Sequence, residues 1–350
     1  MIVRRVEELV GNEKLARVLT TWDYQVILPE GAIIRVDYID KLKELGIKEV
    51  CVYEQEERNI NHILKSDIED SVKEKVREIL EKHTYKHNEN LEELSKTADN
   101  IIRNILEEDQ VIERVFDIKQ RNADIYEHSI SICSMAILTA LKMELSVEKI
   151  HDIGVACLLH DIGLRYQDYD FSNKSLEDMS EYEVSEYKKH PIYGYSILKE
   201  ENWLSSASKD IILFHHERIN GSGYPLKTKD LSLECRIVNV CDAFDEMICG
   251  IGYRRIKVHE AIEYLKFYKD KMFDARVVNV FLNFTAVYPV GTHVLTSEGE
   301  IGVVVGQNKD FQDRPILRII RDKDQNTVKE EIIKDMIKIR NLFIEEVLED

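Results

Sequence analysis

Apolar residues recur along this chain in two different periods, and the change between them divides it. From about residue 123 to 286, sets such as Ile132, Met135 and Leu138, or Ile150, Ile153 and Cys157, return every three or four positions. That spacing gathers them on one face of a helix, and Gly, Pro, Ser and Asn breaks separate five or more such patterns. After Val287 the period falls to two in Gly302-Val303-Val304-Val305 and Ile316-Leu317-Arg318-Ile319-Ile320, with turns at Gly299 and from Asp322 to Gln325. Residues 287–350 are therefore predicted to form a small β-rich module. Residues 1–55 mix both habits: Gln25 to Leu28, a turn at Pro29-Glu30-Gly31-Ala32, a helical stretch Tyr38 to Leu45 closed by Gly46, then Val50 to Tyr53. This predicts a small α/β module. Between the two, residues 56–120 are dense in charge, with Ile63, Leu80, Leu91, Leu94, Ile101 and Ile105 at helical spacing, as in solvated connecting helices. The predicted fold class is mainly α, a central helical domain over 121–286 with a small module at each end.

Composition narrows the setting. A chain of 350 residues with 44% hydrophobic content can bury a sizeable core. Its longest uncharged helical stretch, Ser129 to Leu141, is far shorter than the roughly 20 residues that span a bilayer, so no membrane span is expected. The start, Met1-Ile2-Val3-Arg4-Arg5-Val6-Glu7-Glu8, lacks the apolar core of a secretory signal, which predicts a cytoplasmic protein. The six cysteines never form a Cys-x-x-Cys pair and read as buried thiols. A net charge of −18 argues against DNA or RNA as a partner, since that affinity comes from cations neutralising phosphates. A small anionic substrate remains compatible if bound metal ions reverse the local field.

The candidate chemistry lies in the helical domain. Asp124 and His128, four apart, project from one helical face, where a carboxylate and an imidazole can share a ligand site. A second helix, capped at Ser146, runs to the pair His160-Asp161 and stops at Gly163. His151 lies nine residues before His160, on the opposite face, and is excluded. A third starts with the capping box Ser180-x-x-Glu183 and is expected to end near His190, because a residue before proline is pushed from helical geometry. A fourth, capped near Ser205, carries the doublet His215-His216, whose members point about 100° apart and suit two neighbouring ions, or an ion and a substrate. Asp242 sits in the apolar run Ile237 to Phe244, where a buried carboxylate requires a cation. A lone histidine is usually structural, and His62, His83, His87, His259 and His293 are read so, as Lys188 and Lys189 are read as a solvated face. Five of the eleven histidines together with two or three aspartates at the ends or polar spots of apolar helices instead suggest a bundle metal site. Nitrogen and carboxylate donors without thiolate suit iron, manganese, zinc, cobalt or nickel, and their number implies at least two ions.

These residues resemble a known family. The order His128, His160-Asp161, Asp242 is similar to the HD phosphohydrolase superfamily, and His215-His216-Glu217-Arg218-Ile219-Asn220-Gly221-Ser222-Gly223-Tyr224-Pro225 resembles the signature of its HD-GYP branch. The likeness extends over roughly 121–286, including Lys188-Lys189-His190-Pro191 and Met272-Phe273-Asp274-Ala275-Arg276, and weakly to the flanking modules. It implies an HD-type helical bundle with two or three divalent ions, iron or manganese, that opens cyclic di-GMP to linear pGpG or to GMP. By position, His128, His160, Asp161, His190, His215 and Asp242 match the ligands of the binuclear core, and Asp124 and His216 those of a third site. Tyr224 and Arg254 match substrate contacts. Gly223 shapes the loop that offers Tyr224, and Arg218 follows the doublet; both join the substrate-facing set. In the implied mechanism Asp161 bridges two ions that share a hydroxide, which attacks phosphorus in line with the leaving oxygen. The resemblance also implies signalling partners, such as a diguanylate cyclase-type protein, and is compatible with a homodimer.

The chain departs from that pattern. Leu164 stands where a phosphate-binding lysine is usual, Arg165 to Asn173 replace the usual following segment, Asn220 replaces a common aspartate, and Ile251 stands where a substrate-binding arginine is expected. Arg165, Lys174 and Arg255 are candidate replacements for the missing charge. Two functions of different class follow: a cyclic dinucleotide phosphodiesterase, with activity reduced by the lost cations, or a metal-bearing receptor or adaptor without useful turnover.

Overall fold

A computed structural model of the chain describes residues 2–6, 9, 15, 17–20, 26–29, 32, 34–52, 61–86, 91–107, 111, 114–118, 124–167 and 174–348. Glu30, Gly31, Tyr53, His87 and residues 168–173, which the sequence reading used, lie outside these. The chain gathers into two compact units: Asn61–Pro289 with Lys309–Asp313, and Met1–Ile60 with Val290–Asn308 and Arg314–Asp350.

The larger unit is helical: α2 (Ser66–Lys86), α3 (Glu93–Glu107), α4 (Ile125–Lys142), α5 (Val147–Leu159), α6 (Glu181–Tyr187), α7 (His190–Leu198), α8 (Ser206–Phe214), α9 (Leu233–Cys249), α10 (Val258–Tyr268) and α11 (Ala275–Leu282). Their starts follow from the residues before them. Asp124, Ser146, Ser180, Ser205, Ser232 and Asp274 each accept a backbone N–H of the first turn, and Ser180 completes its capping box with Glu183. Each such cap stabilises its helix by about 1 kcal/mol.

Two helices form the axis of this unit. In α4 every residue from His128 to Ala140 is buried, and in α9 every residue from Ile237 to Cys249. Over these spans neither helix turns a face to solvent, so each is surrounded by others. α4 packs on α5 and α9, and α5 packs on α3 and α8. The charged helices α2 and α3 are amphipathic rather than fully solvated. Val72, Val76, Ile79, Leu94, Ala98, Ile101 and Ile105 join the same buried core.

One helical expectation changes. The helix begun at Ser180 ends at Tyr187, and His190 opens α7 with Pro191 as the next residue. Proline lacks only an N–H that the first helical turn leaves unpaired, so it is at ease there and starts a helix instead of ending one.

The smaller unit holds α1 (Val36–Glu44) and, among the described residues, three antiparallel sheets. β1 (Ile2–Arg5) pairs with β4 (Glu49–Val52), and β2 (Leu19–Thr20) with β3 (Val26–Leu28). The five-stranded sheet, in order β8-β7-β6-β5-β9, is built from β5 (His293–Thr296), β6 (Ile301–Gly306), β7 (Ile316–Arg321), β8 (Thr327–Asp335) and β9 (Ile344–Val347). The period-two pattern is visible in β7, where Leu317 and Ile319 are buried and their neighbours are not. Among the described residues, no helix is long and apolar enough to cross a membrane.

Candidate metal centre

Five elements of the helical unit present polar side chains to one buried point. α4 supplies His128 and α9 supplies Asp242, each from a buried helix. α5 ends at Leu159, and His160 and Asp161 follow it before a 3-10 turn, Ile162–Tyr166. That turn lies tightly against the start of α7: a Cβ on Gly163 would fall 2.0 Å from the His190 carbonyl oxygen. Glycine is thus the residue that lets Asp161 approach His190. α8 ends at Phe214 and releases His215 and His216. The following loop needs Gly223 for a similar reason, since a Cβ there would lie 2.4 Å from the His216 carbonyl oxygen.

Asp161 stands between two sets of imidazoles. Its Oδ1 is 3.2 Å from His190 Nε2 and 3.8 Å from His215 Nε2. Its Oδ2 is 3.3 Å from His160 Nε2 and 3.7 Å from His128 Nε2. Asp242 closes the second set, with Oδ1 at 3.5 Å from His128 Nε2 and 3.8 Å from His160 Nε2. Its Oδ2 lies 3.3 Å from His216 Nδ1. Two candidate ligand groups result: Asp161, His190, His215 and His216, and His128, His160 and Asp242, each with its donor atoms within 4.8 Å of one another.

The outer partners fix which ring nitrogen faces inward. His160, His190 and His215 donate from Nδ1 to the carbonyls of Cys157, Tyr187 and Ile212 at 2.7, 2.6 and 2.8 Å. A carbonyl only accepts, so Nδ1 carries the proton and the Nε2 lone pair points into the cluster. His128 Nδ1 is held by Asp245 at 2.7 Å, and Asp245 in turn accepts from Ser131 at 2.7 Å. Carboxylate-backed and carbonyl-backed imidazoles of this kind are the usual outer support of metal ligands. His128 Nε2, His160 Nε2 and both Asp242 oxygens are buried with no hydrogen-bond partner among the described residues. Buried polar atoms are rarely left so, and a divalent cation among these nitrogen and oxygen donors would satisfy them together. The donor set therefore fits metal.

Protonation differs across the cluster. Burial pulls His128 and His160 down, but the carboxylates beside them win, Asp242 and Asp245 for His128 and Asp161 for His160, so both imidazoles titrate above the ordinary range. Burial, with lesser repulsion from neighbouring imidazoles, pushes His190 below it and His215 and His216 well below it. Burial raises the Asp161 carboxyl, yet His160, His190 and His128 more than reverse this and keep it ionised.

The remaining predicted residues are placed less uniformly. Asp124 requires a correction. It has an extended backbone (φ −140°), caps α4 by accepting from Tyr126 and Glu127, and pairs with Lys73 at 2.9 Å. The equal-face argument presumed it helical, whereas its carboxylate faces the helix end and Lys73, outside both ligand groups. Tyr224 does reach the cluster: it is half-buried and its ring stacks on His216 at 4.5 Å. Arg218 is buried, its guanidinium lies 5.0 Å over the Phe273 ring, and it donates to the Glu217 carbonyl. Arg254 is exposed and makes none of the described contacts with the cluster. Leu164 packs in an apolar patch with Met179 and Tyr187, and Ile251 is buried. Arg165 bonds Thr84 and Tyr126, and Lys174 faces Glu183 at 3.7 Å, so neither supplies the missing cation in this arrangement.

Sequence reasoning missed Asp245, Glu246 and Asn239. The signal for the two acids was their acidity within an apolar helix, with Glu246 one turn after Asp242. Asn239 left no such signal. Its Nδ2 lies 2.9, 2.6 and 2.8 Å from the carbonyl oxygens of Phe214, His215 and Glu217, pinning the segment that carries the doublet.

The chain is similar to known proteins. Residues 110–277 match the HD domain family, and residues 293–350 match a KOW domain associated with the HD domain. A cyclic di-GMP phosphodiesterase of Pseudomonas aeruginosa is 30% identical over 217 residues, 61% of this chain and 52% of that protein. The cyclic di-GMP phosphodiesterase response regulator RpfG of Xanthomonas campestris pv. campestris is 34% identical over 152 residues, 42% of this chain and 40% of that protein. A 3'3'-cGAMP-specific phosphodiesterase of Vibrio cholerae is 26% identical over 235 residues, 66% of this chain and 44% of that protein. The chain thus spans about half the length of these relatives, or less. Among solved structures, an HDG"Y"P protein from Bdellovibrio bacteriovorus shares the fold, with a TM-score of 0.52 at 21% identity over 80% of this chain and 97% of that one.

Proposed function

We propose, on the premise that residues 110–277 are an HD domain of the HD-GYP type, that the chain is a metal-dependent phosphodiesterase acting on a cyclic dinucleotide such as cyclic di-GMP. The observation that carries this reading is the division of Asp161, whose two oxygens serve two separate imidazole groups. One carboxylate shared in this way could serve two divalent ions, the arrangement that two-metal phosphoryl transfer uses. His128, His160 and Asp242 would hold one ion and His190 and His215 the other, with Asp161 common to both, and the family resemblance favours iron or manganese among the metals that these donors suit. Bound divalent cations supply Lewis acidity, which makes water a competent nucleophile near neutral pH and draws charge from phosphoryl oxygens.

The protein's own groups do the positioning. The carbonyls of Cys157, Tyr187 and Ile212 fix the Nδ1 proton of three imidazoles and so turn each Nε2 toward the cluster. Tyr224 presents a half-buried ring and hydroxyl beside His216, where a nucleobase or ribose would meet it. Arg218, buried on the same side, contributes a fixed positive charge toward an anionic substrate.

The test is to incubate the metal-loaded protein with cyclic di-GMP and follow linear pGpG and GMP, with Asp161→Ala as control. A second reading, a cyclic dinucleotide receptor without turnover, is favoured by Leu164 and Ile251, which are buried and apolar where basic residues would meet phosphate. Binding that persists while no product forms with iron, manganese, zinc, cobalt or nickel decides for the receptor.

A further inference from the structure

Glu246 is a buried carboxylate at the cluster that neither the binuclear ligand set nor its outer support uses. It follows Asp242 by one helical turn on α9, so both carboxylates leave the same face. It is 2% exposed; its Oε1 accepts from the Tyr187 hydroxyl at 2.8 Å, and its Oε2 has no partner among the described residues. No lysine or arginine forms an ion pair with it among the described residues, and the nearest ring nitrogen is His216 Nε2, at 3.9 Å from Oε1. Donor atoms of His216, Asp242 and Glu246 all lie within 4.8 Å of one another. The buried Arg218 guanidinium acts on both carboxylates from a distance but forms an ion pair with neither among the described residues, and a divalent cation between them would neutralise both at once.

We propose that Glu246 is a metal-ligating residue and that, with Asp242 and His216, it holds a further divalent cation beside the pair on which the proposed function rests. Asp161, His190 and His215 already give the second group three ligands, which frees the inward lone pair of His216 for this site. His216 Nδ1 lies 3.3 Å from Asp242 Oδ2, which leaves Nε2 as the ring nitrogen on the Glu246 side. The site draws its second carboxylate from α9, whereas Asp124 is engaged at the start of α4.

The test counts metal rather than product. The full chain is loaded with Mn2+, freed of unbound ion, and measured by elemental analysis beside Glu246→Gln and Asp161→Asn, with circular dichroism confirming that each is folded. Wild type should hold about three equivalents and Glu246→Gln about two, a loss of one site with the remaining pair intact. Glutamine keeps the shape and the hydrogen bond from Tyr187, so equal metal content in the two chains assigns Glu246 a neutral, structural role and overturns the proposal. A wild type that holds only two equivalents, both sensitive to Asp161→Asn, overturns it while sparing the binuclear reading, and needs no folded Glu246 variant. A wild type that holds none overturns both.

Discussion

The Nε2 atoms of His190 and His215 face each other at 3.0 Å while both rings donate their Nδ1 proton to a backbone carbonyl. Two lone pairs so opposed cannot bond to one another, and only a third, positive partner makes the contact favourable. The fold therefore sets up a repulsion that a bound cation would relieve. Thermal unfolding with and without chelator should show this directly. At a free metal level 1,000 times the dissociation constant, binding adds about 4 kcal/mol, which moves the midpoint by several degrees. Identical melting of chelated and manganese-loaded protein would count against a metal among these rings.

Asp161 makes a sharper forecast, because its oxygens are divided between the two groups. Asp161→Asn preserves volume but removes the shared negative charge, so it should weaken both ions by tenfold or more, in the range seen when support of a metal ligand is lost. His128→Ala touches one group and should release one ion. Elemental analysis distinguishes the patterns, and loss of a single ion from Asp161→Asn would argue that the carboxylate does not bridge.

Gly163 tests how the site is assembled rather than what it binds. An alanine Cβ would sit 2.0 Å from the His190 carbonyl oxygen and 2.8 Å from the Gly194 nitrogen, both backbone atoms. The 3-10 turn must retreat from α7, at a cost of about 3 kcal/mol, the upper end of ordinary overpacking. Gly163→Ala should lower the denaturant midpoint and also reduce metal content, since Asp161 moves with the turn. Unchanged metal content in a destabilised protein would separate the turn from the site.

Much of this arrangement was legible in the sequence, for identifiable reasons. The helical period exposed α4, α5, α8 and α9, and the Ser and Asp caps fixed their starts, so His128, His160, Asp161, His215 and Asp242 could be assigned to helices and their ends. Local rules misled where two of them competed. Pro191 reads as the end of a helix by its effect on the preceding residue, although proline is equally at home in a first turn, and His190 begins α7. Asp124 was counted on the helical face of His128, yet aspartate at that position is a preferred cap, and a cap is not yet helical. Asn239 could not be found by pattern, because its role is defined by three carbonyls that are distant in sequence. Glu246 could have been found by the argument used for Asp242, since both are acids in an apolar helix.

The uneven protonation of the cluster predicts that its two groups respond differently to pH. In the metal-free protein His128 and His160 titrate above the ordinary imidazole value, His128 well above it, while His190 titrates below it and His215 and His216 well below. The raised pair contributes stability that is full below the unfolded value and is lost as pH rises through the folded one. The lowered group acts in the opposite sense, costing stability as pH falls below the unfolded value of about 6.5. Metal requires a free lone pair, so an ion entering beside His128 and His160 must displace protons, and its affinity should rise about tenfold per pH unit for each proton displaced. The ion beside His190, His215 and His216 meets rings that are already neutral, and its affinity should stay nearly flat across the same range. Calorimetric titration at pH 6 to 8, in buffers of different ionisation enthalpy, counts the protons released at each step. The flat ion should bind first at pH 6, and His128→Ala should remove most of the proton release. Two ions that bind with the same pH slope would show that the carboxylates around His128 do not hold its proton as their geometry requires.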